Sequence, residues 1–325
     1  MNVLVLSHAD VVRLLTMEAC IEVMAEALRT TSSGGAVLPL RSVVWMPDRT
    51  GMIGLMPGFL DPPQSLGLKV VSIFPGNHGT GFDSHQGVVM LFDTGHGSPQ
   101  AIIDASSITA IRTAAVSGVA TRALAQGDAG DLAILGSGVQ AATHLAAMRA
   151  VRKIRRVRVW SRNPANARRF AATSPVTIEV MPTVRAAVES ADLVCTTTAT
   201  REPILEGAWL APGAHINAVG ACFAATRELD TAAVARSRLI VDRRESTLAE
   251  SGDFLLARAD GAITDDHILG ELGDLLLGRF VGRRASDEVT LFKSLGIAVE
   301  DLAAAHYIYT QAVTRGGGVS VPLGP

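Results

Sequence analysis

The sequence predicts an α/β protein that combines a doubly wound parallel sheet with a second, α+β domain formed by both ends of the chain. Three observations favour this class. From Asp131 onward, short apolar runs alternate with helical patterns, which is typical of parallel strands covered by helices on both faces. Between Leu38 and Asp93, β-rich runs alternate with Gly, Pro, Asn and Asp turns, which favours antiparallel strands. The 325 residues, 48% of them hydrophobic, fit two domains with large interiors.

The first part of the chain predicts a short strand, helices and then the β-rich runs. Ser7 is a candidate N-cap for a helix, and apolar residues recur at helical spacing from Met17 to Leu28. The runs that follow are SVVWMP, GMIGLMPGF, GLKVVSIFP and GVVMLFD. Residues 107 to 125 then predict a long helix with a small-residue face.

The middle of the chain predicts a repeating order of strand and helix. The predicted strands are DLAILGSG, RVRVWSR, TIEVM, ADLVCTTT, HINAVGA and RLIVD, and the helices VQAATHLAAMRAV and PANARRFAA separate the first three. After about residue 285 we predict helix again, in EVTLFKSLGIAVEDLAAAHYIYTQAV, before a Gly-rich tail. The natural division is a nucleotide-binding domain at 125–284, with 1–124 and 285–325 forming the other domain.

Composition and charge argue against several classes of function. The net charge of -2 gives no electrostatic reason to expect nucleic acid or an anionic membrane as a partner. The cysteines Cys20, Cys195 and Cys222 are few and widely spaced, so we predict neither a disulfide framework nor a metal site. The N-terminus lacks a basic leader, and no run of about 18 apolar residues predicts a membrane span. A cytoplasmic location fits these observations.

A glycine-rich turn after the strand DLAIL predicts a dinucleotide site. Residues 136–141 fit the pattern G-x-G-x-x-A, with a strand before it and a helix after it, which is the context that the motif requires. The helix N-terminus then presents free N–H groups to a pyrophosphate. The predicted contacts are Gly136, Ser137, Gly138, Val139 and Gln140. The alternative is a turn without a ligand, since Gly-rich turns are common.

The end of the next strand indicates which nucleotide binds. NAD sites usually place an acidic residue there for the ribose hydroxyls, whereas this chain offers Ser161, Arg162 and Asn163. A guanidinium suits a 2′-phosphate, because its planar fork matches phosphate oxygens. We therefore favour NADP(H) over NAD(H). The alternative is that Arg162 is a solvated surface charge.

Several stretches together resemble the ornithine cyclodeaminase/mu-crystallin family. They occur in the family's order over nearly the whole chain: GLKVVSIFPGN, HQGVVMLFD, ASSITAIRTAAVSG, LGSGVQA, INAVGACFAATRELD and VTLFKSLGIAVEDLA. The resemblance implies a Rossmann domain, a second domain that binds substrate and dimerises through a β-sheet, and a homodimer. It also implies a nicotinamide cofactor and a small imino- or amino-acid substrate.

Three basic residues match the substrate site that the resemblance implies. Arg41 and Arg112 would orient the substrate carboxylate, since a guanidinium binds a carboxylate in a bidentate fashion. Lys69 would exchange a proton with the substrate nitrogen, because burial can depress the pKa of a lysine. Lys69 and Arg112 are the predicted catalytic residues. In the alternative, Lys69 lies at a strand edge and Arg112 makes a local bridge.

Other positions follow from the same resemblance. Thr113 would contact the cofactor phosphates, and Val219 and Gly220 would lie near the nicotinamide. Cyclodeaminases carry acids where this chain has Gly54 and Cys222, so both carboxylates that would handle water and ammonia are missing. The pattern is more similar to mu-crystallin, with its Trp-x-Arg after the second strand.

These observations predict an NADP(H)-dependent reductase of a small cyclic imino acid. A lyase, either an ornithine cyclodeaminase or a 3-hydroxyproline dehydratase, is the first alternative, and a non-catalytic NADPH-binding protein is the second. Four further expectations concern single residues or pairs. His85 either supports its loop or touches substrate, and we favour the structural role. We expect Asp83 and His78 to form a lid and Asp301 to be a solvated helix charge. We expect Lys293 to begin or interrupt a helix, which the resemblance places near the cofactor, although Ser294 as a simple helix cap is the alternative.

Overall fold

The structure is a computed structural model, and it describes residues 2–77 and 80–324. The chain divides into two compact units, one of 1–112 with 296–325 and the other of 113–295. The compact units divide within the helix Ala105–Leu124 and just after the strand Thr290–Lys293. Domain boundaries after 124 and before 285 remain a prediction.

The first unit is built on one mixed sheet. Its strands are β1 (Asn2–Leu6), β2 (Ala36–Val37), β3 (Ser42–Trp45), β4 (Met52–Leu60), β5 (Ser65–Ile73), β6 (His85–Phe92), β7 (Pro99–Asp104) and β16 (Val319–Pro322). Among the described residues the order is β16-β1-β7-β6-β5-β4-β2, and β3 also pairs with β4. Every pair is antiparallel except β1 with β7.

Helices cover one face of this sheet. They are α1 (His8–Leu14), α2 (Met17–Ser32), the start of α3 (Ala105–Leu124) and α11 (Ala298–Arg315). Helix α11 packs on α2 and on β4, β5 and β6. Because successive side chains of a strand point to opposite faces, alternate residues of β5, namely Ser65, Gly67 and Lys69, are buried on the side of α11.

The second unit is a parallel sheet with helices. Its strands are β8 (Asp131–Leu135), β9 (Arg156–Trp160), β10 (Glu179–Val180), β11 (Leu193–Thr196), β12 (His215–Ala218), β13 (Arg238–Val241), β14 (Ile268–Glu271) and β15 (Thr290–Lys293). Its helices are α4 (Val139–Val151), α5 (Pro164–Thr173), α6 (Val184–Val188), α7 (Thr231–Ala235), α8 (Arg244–Glu250), α9 (Gly252–Ala259) and α10 (Leu272–Leu276), together with the rest of α3.

In the described part of this unit, the strand order is β10-β9-β8-β11-β12-β15-β13-β14, and the pairs are parallel. The order reverses beside β8, since β9 lies on one side of it and β11 on the other. In open α/β sheets, ligands bind in the crevice at the carboxyl ends of the strands at such a point. The predicted doubly wound sheet is confirmed.

The prediction of helix from residue 288 is wrong for its first part. Thr290–Lys293 is the buried strand β15, which lies between β12 and β13, and the helix begins only at Ala298. Gly296, with φ of 77°, turns the chain between the two elements. An apolar run of four residues fits a buried strand as well as a helix, so its pattern alone could not assign it.

Two strands of the first sheet were not predicted from the sequence. The Gly-rich tail forms the edge strand β16, which pairs with β1 at the other end of the chain, and Pro99–Asp104 forms the interior strand β7, which pairs with β1 and with β6. Both runs are short, and the pairing of each with β1 depends on tertiary structure rather than on a local pattern.

Candidate active site

A cluster of buried charged side chains lies in the first unit. The Nζ of Lys69 lies 3.1 Å from Oδ1 of Asp301. Arg112 donates from Nε to the same oxygen at 2.9 Å and from a terminal nitrogen to Glu300 at 2.7 Å. Lys69 is 3% exposed, Arg112 is 4% exposed, and both carboxylates are fully buried. Two of the three predicted substrate-site cations therefore share one carboxylate oxygen.

Each member of the cluster is positioned by the element that carries it. Lys69 points from β5 toward α11. Arg112 lies in the part of α3 that belongs to the first unit. Glu300 and Asp301 lie in the first turn of α11, where the helix dipole stabilises negative charge. The four side chains come together because α11 packs over the face of the sheet that buries Lys69.

Arg41 joins the same region through the backbone of Gly296. Arg41 is half-buried, and it donates to the carbonyl oxygen of Gly296 at 2.9 Å. A side chain added at Gly296 would come within 2.5 Å of a terminal nitrogen of Arg112. A glycine at 296, with its positive φ, thus allows both guanidinium groups to approach one backbone segment.

The environment shifts the pKa values of the cluster. Burial lowers the pKa of Lys69 to about 8; Asp301 opposes this shift, whereas Arg112 and Arg41 add to it. Burial alone would raise the pKa of Asp301, but Arg112 and Lys69 outweigh it and hold that pKa below its usual value. At neutral pH the site therefore contains a carboxylate beside an ammonium that can release its proton.

The expectation that Asp301 is a solvated helix charge is wrong. Its side chain is fully buried, and the sequence reasoning did not single out Glu300 at all. One signal was present in the sequence. The stretch GIAVEDLAAA is apolar on both sides of the two acids, and a helix that is apolar all round is buried, so its charges must be paired.

The glycine-rich loop of the second unit has the geometry that a pyrophosphate requires. Gly136 has a φ of 127°, and a side chain there would meet Oγ1 of Thr197 at 2.5 Å. Gly138 is the N-cap of α4, and a side chain added there would meet nothing within 4 Å. The loop is thus closed behind Gly136 and open at Gly138, which is the side where a dinucleotide would approach.

The remaining predicted cofactor residues of this loop have varied surroundings. Ser137 donates to Ser161 at 2.9 Å, which links the ends of β8 and β9. Val139 is exposed at the start of α4, and the carbonyl of Gln140 contacts His144. Thr113 is nearly buried on α3.

Two other predicted cofactor residues follow the end of β9, and their side chains have different surroundings. Arg162 is exposed. Asn163 caps α5, because its Oδ1 accepts from the N–H of Ala165 at 3.0 Å. A structural cap therefore accounts for the side-chain oxygen of Asn163, whereas the Arg162 side chain extends into solvent.

A buried carboxylate ties together the carboxyl ends of β11 and β12. Glu228 accepts from the N–H of Thr198 at 2.6 Å and from the N–H of Gly220 at 2.7 Å. Burial, reinforced by Asp253, raises the pKa of Glu228. Val219, which is 6% exposed, precedes Gly220 and donates to the carbonyl of Thr196. Glu228 thereby fixes the backbone at Gly220, while the bond to Thr196 fixes it at Val219.

Lys293 belongs to this buried network. Its Nζ lies 2.9 Å from Asp253 and donates to the carbonyl of Ala221 at 2.7 Å. Burial opposes the charge of Lys293, but Asp253, Cys222 and Glu228 outweigh it and raise its pKa. Lys293 ends β15, so the expectation that it begins or interrupts a helix is wrong.

Gly54 and Cys222 occupy the positions where, by the resemblance, cyclodeaminases carry acids. Gly54 lies in β4 on the same face as Met56, which pairs with Lys69 across the strands, so a longer side chain at 54 would point toward the α11 side. Cys222 is half-buried after β12, and its thiol donates to the carbonyl of Val219. In the described residues, no group of three or more His, Cys, Asp and Glu side chains could hold a metal ion.

Two of the remaining expectations concern the first residue of β6 and the loop before it. His85 is exposed, and its ring contacts the hydroxyl of Ser84. The backbone oxygen of Asp83 accepts from Asn77 and Gln86. His78 lies outside the described residues.

The chain is similar to several known proteins. The sequence model of the ornithine cyclodeaminase/mu-crystallin family matches residues 1–316. The ketimine reductase mu-crystallin of Mus musculus is 42% identical over 276 residues, which cover 85% of each chain. The Thermococcus litoralis Δ1-pyrroline-2-carboxylate reductase, solved with NADH and L-proline, has a TM-score of 0.96 at 38% identity, covering 98% of this chain and 100% of that one. An archaeal alanine dehydrogenase dimer with bound NAD has a TM-score of 0.94 at 28% identity and covers both chains fully.

Proposed function

The chain belongs to the ornithine cyclodeaminase/mu-crystallin family, and on that premise we propose that it reduces a small cyclic imino acid, a ketimine, with NAD(P)H. Suitable substrates are Δ1-pyrroline-2-carboxylate and Δ1-piperideine-2-carboxylate. The observation that carries the proposal is the buried contact of Lys69 and Arg112 through Asp301. It places a group that can donate a proton beside a group that binds carboxylates.

The substrate carboxylate is held by the two arginines. Arg41 and Arg112 both contact the segment around Gly296, and their planar guanidinium groups suit a carboxylate better than an ammonium does. Glu300 and Asp301 hold the guanidinium of Arg112 in one orientation. The substrate therefore meets a preorganised cation, which lowers the entropic cost of aligning its reacting carbon.

Lys69 supplies the proton. Reduction of a C=N bond adds a hydride to carbon and a proton to nitrogen. With a pKa of about 8, the Lys69 ammonium is mostly protonated at neutral pH and gives up its proton more readily than an ordinary lysine. The nicotinamide cofactor supplies the hydride when it is bound, and Gly136, Gly138 and the N-terminus of α4 are the residues that would hold its pyrophosphate.

The lyase alternatives lack support at two positions. Ammonia loss or dehydration needs groups that accept and return protons at water or the departing nitrogen, and carboxylates usually fill that role. This chain has Gly54 and Cys222 at the positions concerned. The binding-protein alternative leaves the lowered pKa of Lys69 without a purpose, because binding alone requires no exchangeable proton.

The test is a direct assay. The purified protein is incubated with NADPH or NADH and each imine, and cofactor oxidation is followed together with formation of L-proline or L-pipecolate. Parallel incubations with ornithine and 3-hydroxyproline measure ammonia and imine formation. Stoichiometric cofactor oxidation supports the reductase. Product without net cofactor consumption would establish a lyase, and cofactor binding without turnover of any imino or amino acid would establish a binding protein.

We propose NADP(H) as the preferred cofactor because Arg162 is exposed at the end of β9, where no acid is present to bind the ribose. The two similar structures contain NADH or NAD, so the unphosphorylated nucleotide is the natural comparison. Replacing Arg162 by alanine is expected to lower the ratio of kcat/KM for NADPH to that for NADH by about tenfold or more, since a charge-assisted hydrogen bond contributes roughly 1.5–3 kcal/mol. The kcat/KM for NADH should stay near wild type.

The matched control for this variant is Arg149→Ala, which removes another exposed arginine from the end of α4. It should leave the cofactor ratio unchanged. An Arg162→Ala enzyme that keeps the wild-type preference would show that Arg162 is a solvated surface charge.

A homodimer is the proposed assembly. The face of the first sheet that points away from α11 is a patch of apolar cross-strand neighbours: Leu55, Pro57, Leu68, Val70, Val88, Met90 and Ile102. They are only partly buried or exposed, and Ile53 and Leu66 on the same face are each 39% exposed. A large exposed apolar patch marks an interaction surface, and a similar alanine dehydrogenase was solved as a dimer.

Two further expectations concern location and other partners. No helix in the described residues is long and apolar enough to cross a membrane. The three cysteines are free thiols, which supports the proposal of a cytoplasmic location. The net charge of -2 supports a small molecule rather than nucleic acid as the ligand.

A further inference from the structure

One oxygen atom of Asp301 connects the two cations of the proposed site. Oδ1 accepts from Nζ of Lys69 at 3.1 Å and from Nε of Arg112 at 2.9 Å, while Oδ2 lies 3.5 Å from a terminal nitrogen of Arg112. Without a shared anion, two buried cations this close would repel each other and turn their head groups apart. The carboxylate therefore sets both the distance and the orientation of the pair.

The sequence uses lysine sparingly, which makes this pair distinctive. The chain has three lysines, Lys69, Lys153 and Lys293, among 29 basic residues. Lys153 is exposed, whereas Lys69 and Lys293 are buried and each contacts an aspartate. Arginine keeps its proton at all relevant pH values, whereas a buried lysine can lose its proton and become neutral.

We propose that Asp301 is a positioning residue for imine reduction, holding the Lys69 ammonium and the Arg112 guanidinium side by side so that one substrate molecule meets both. This inference rests on the proposed function. Asp301 acts through its two partners and does not itself exchange protons with the substrate. Glu300 accepts from a terminal nitrogen of Arg112, so it helps to orient the guanidinium, whereas Asp301 contacts both Arg112 and Lys69.

The charges around Lys69 determine what loss of Asp301 does. Asp301 of α11 favours the ammonium, whereas Arg112 of α3 and Arg41, which precedes β3, oppose it. Cys20 of α2 lies near Arg112, Glu300 and Asp301, but burial raises the pKa of its thiol, which stays neutral. Asparagine at 301 would keep the shape and remove the anion. Burial and both arginines would then act on Lys69 unopposed, and its pKa would fall further.

NMR of labelled lysines measures the pKa of Lys69 directly and needs no substrate. Protein labelled with 13C at the lysine ε-carbon contains three signals, which Lys153→Arg and Lys69→Met variants assign. In wild type we expect Lys69 to titrate near pH 8 and Lys293 to titrate above the ordinary lysine range. In Asp301→Asn the Lys69 midpoint should fall by about one pH unit or more. Lys293 is the internal control, because its midpoint should not move.

Glu300→Gln is the matched control variant. It removes a neighbouring buried carboxylate that contacts Arg112, and the Lys69 midpoint should remain near wild type. Under the proposal, the alkaline limb of the pH profile of kcat/KM moves with the Lys69 midpoint in Asp301→Asn. A purely structural role would lower kcat/KM without moving that limb.

The two proposals fail in different ways. An unchanged Lys69 midpoint in Asp301→Asn overturns the positioning role, even if the enzyme reduces imines. Absence of imine reduction by wild type overturns the proposed function, while the NMR titration remains readable. If Asp301→Asn does not fold, Asp301→Glu provides the test, because it keeps the charge and displaces the oxygen by one methylene. Wild-type kcat/KM in Asp301→Glu would overturn the positioning role, and a loss of about tenfold or more would support it.

Discussion

Replacing Lys69 by methionine is expected to lower kcat/KM for imine reduction by about 10²- to 10⁴-fold, which is the usual contribution of a positioned general acid. Methionine fills a similar volume, and Asp301 keeps the Nε contact of Arg112. The fold should therefore persist while the proton donor is lost. Steady-state kinetics with Δ1-pyrroline-2-carboxylate, alongside a thermal melt, measures both consequences.

The pH profile separates proton transfer from simple binding. In wild type, kcat/KM for reduction should fall as the pH rises through about 8, because Lys69 loses the proton that it donates. Lys69→Met should lose this alkaline limb along with the rate. Lys69→Arg keeps a positive charge that cannot be released, so it should preserve the charge of the site but not restore the rate of reduction.

Lys153→Met is the control, because Lys153 is exposed and its loss removes one lysine without touching the site. A Lys69→Met enzyme within about threefold of wild-type kcat/KM would contradict a general-acid role. The proton would then have to reach the substrate nitrogen from water.

Local sequence patterns were sufficient for the nucleotide loop. A strand, a tight turn and a helix are contiguous in the chain, so the glycines at 136 and 138 predict their own geometry, and the structure gives Gly136 its positive φ. The alternating strands of the second unit were predictable for the same reason. The missing acid at the end of β9 was equally visible, because Ser161 and Arg162 follow that strand directly.

The apolar stretch around Glu300 and Asp301 indicates that these acids are buried, but their partners could not be predicted from local patterns. Asp301 lies 232 positions from Lys69 and 189 from Arg112, and only the packing of α11 on β5 joins them. A charged residue in a helical pattern is most often solvated, and that expectation failed here. Strand β15 was missed on similar grounds, since its place between β12 and β13 depends on tertiary structure.

Replacing Arg112 by methionine is expected to reduce both stability and activity. The change leaves Glu300 without the guanidinium that donates to it at 2.7 Å, and Asp301 with Lys69 as its remaining cation in this cluster. Removing one partner of a buried ion pair typically costs about 3–5 kcal/mol, because the other charge stays buried and uncompensated. Denaturant unfolding should show that loss, and kcat/KM should fall because the carboxylate anchor is gone.

The stability loss should depend on pH. In wild type the lowered pKa of Asp301 adds stability that is present above the carboxyl pKa of the unfolded chain and is lost as the pH falls through the folded value. In Arg112→Met, Asp301 loses one of the two cations that hold its pKa down, so this contribution to stability shrinks. The deficit of the variant relative to wild type should therefore decrease as the pH falls from neutral through the carboxyl pKa of the unfolded chain.

Arg112→Met combined with Glu300→Gln separates stability from function. The double variant removes the charge that the single variant leaves buried, and replacing a whole buried ion pair with neutral groups is often close to neutral in free energy. Much of the lost stability should return, while kcat/KM for the imine should stay low. Recovery of activity together with stability would show that Arg112 contributes through packing, and the carboxylate anchor would then have to be Arg41 alone.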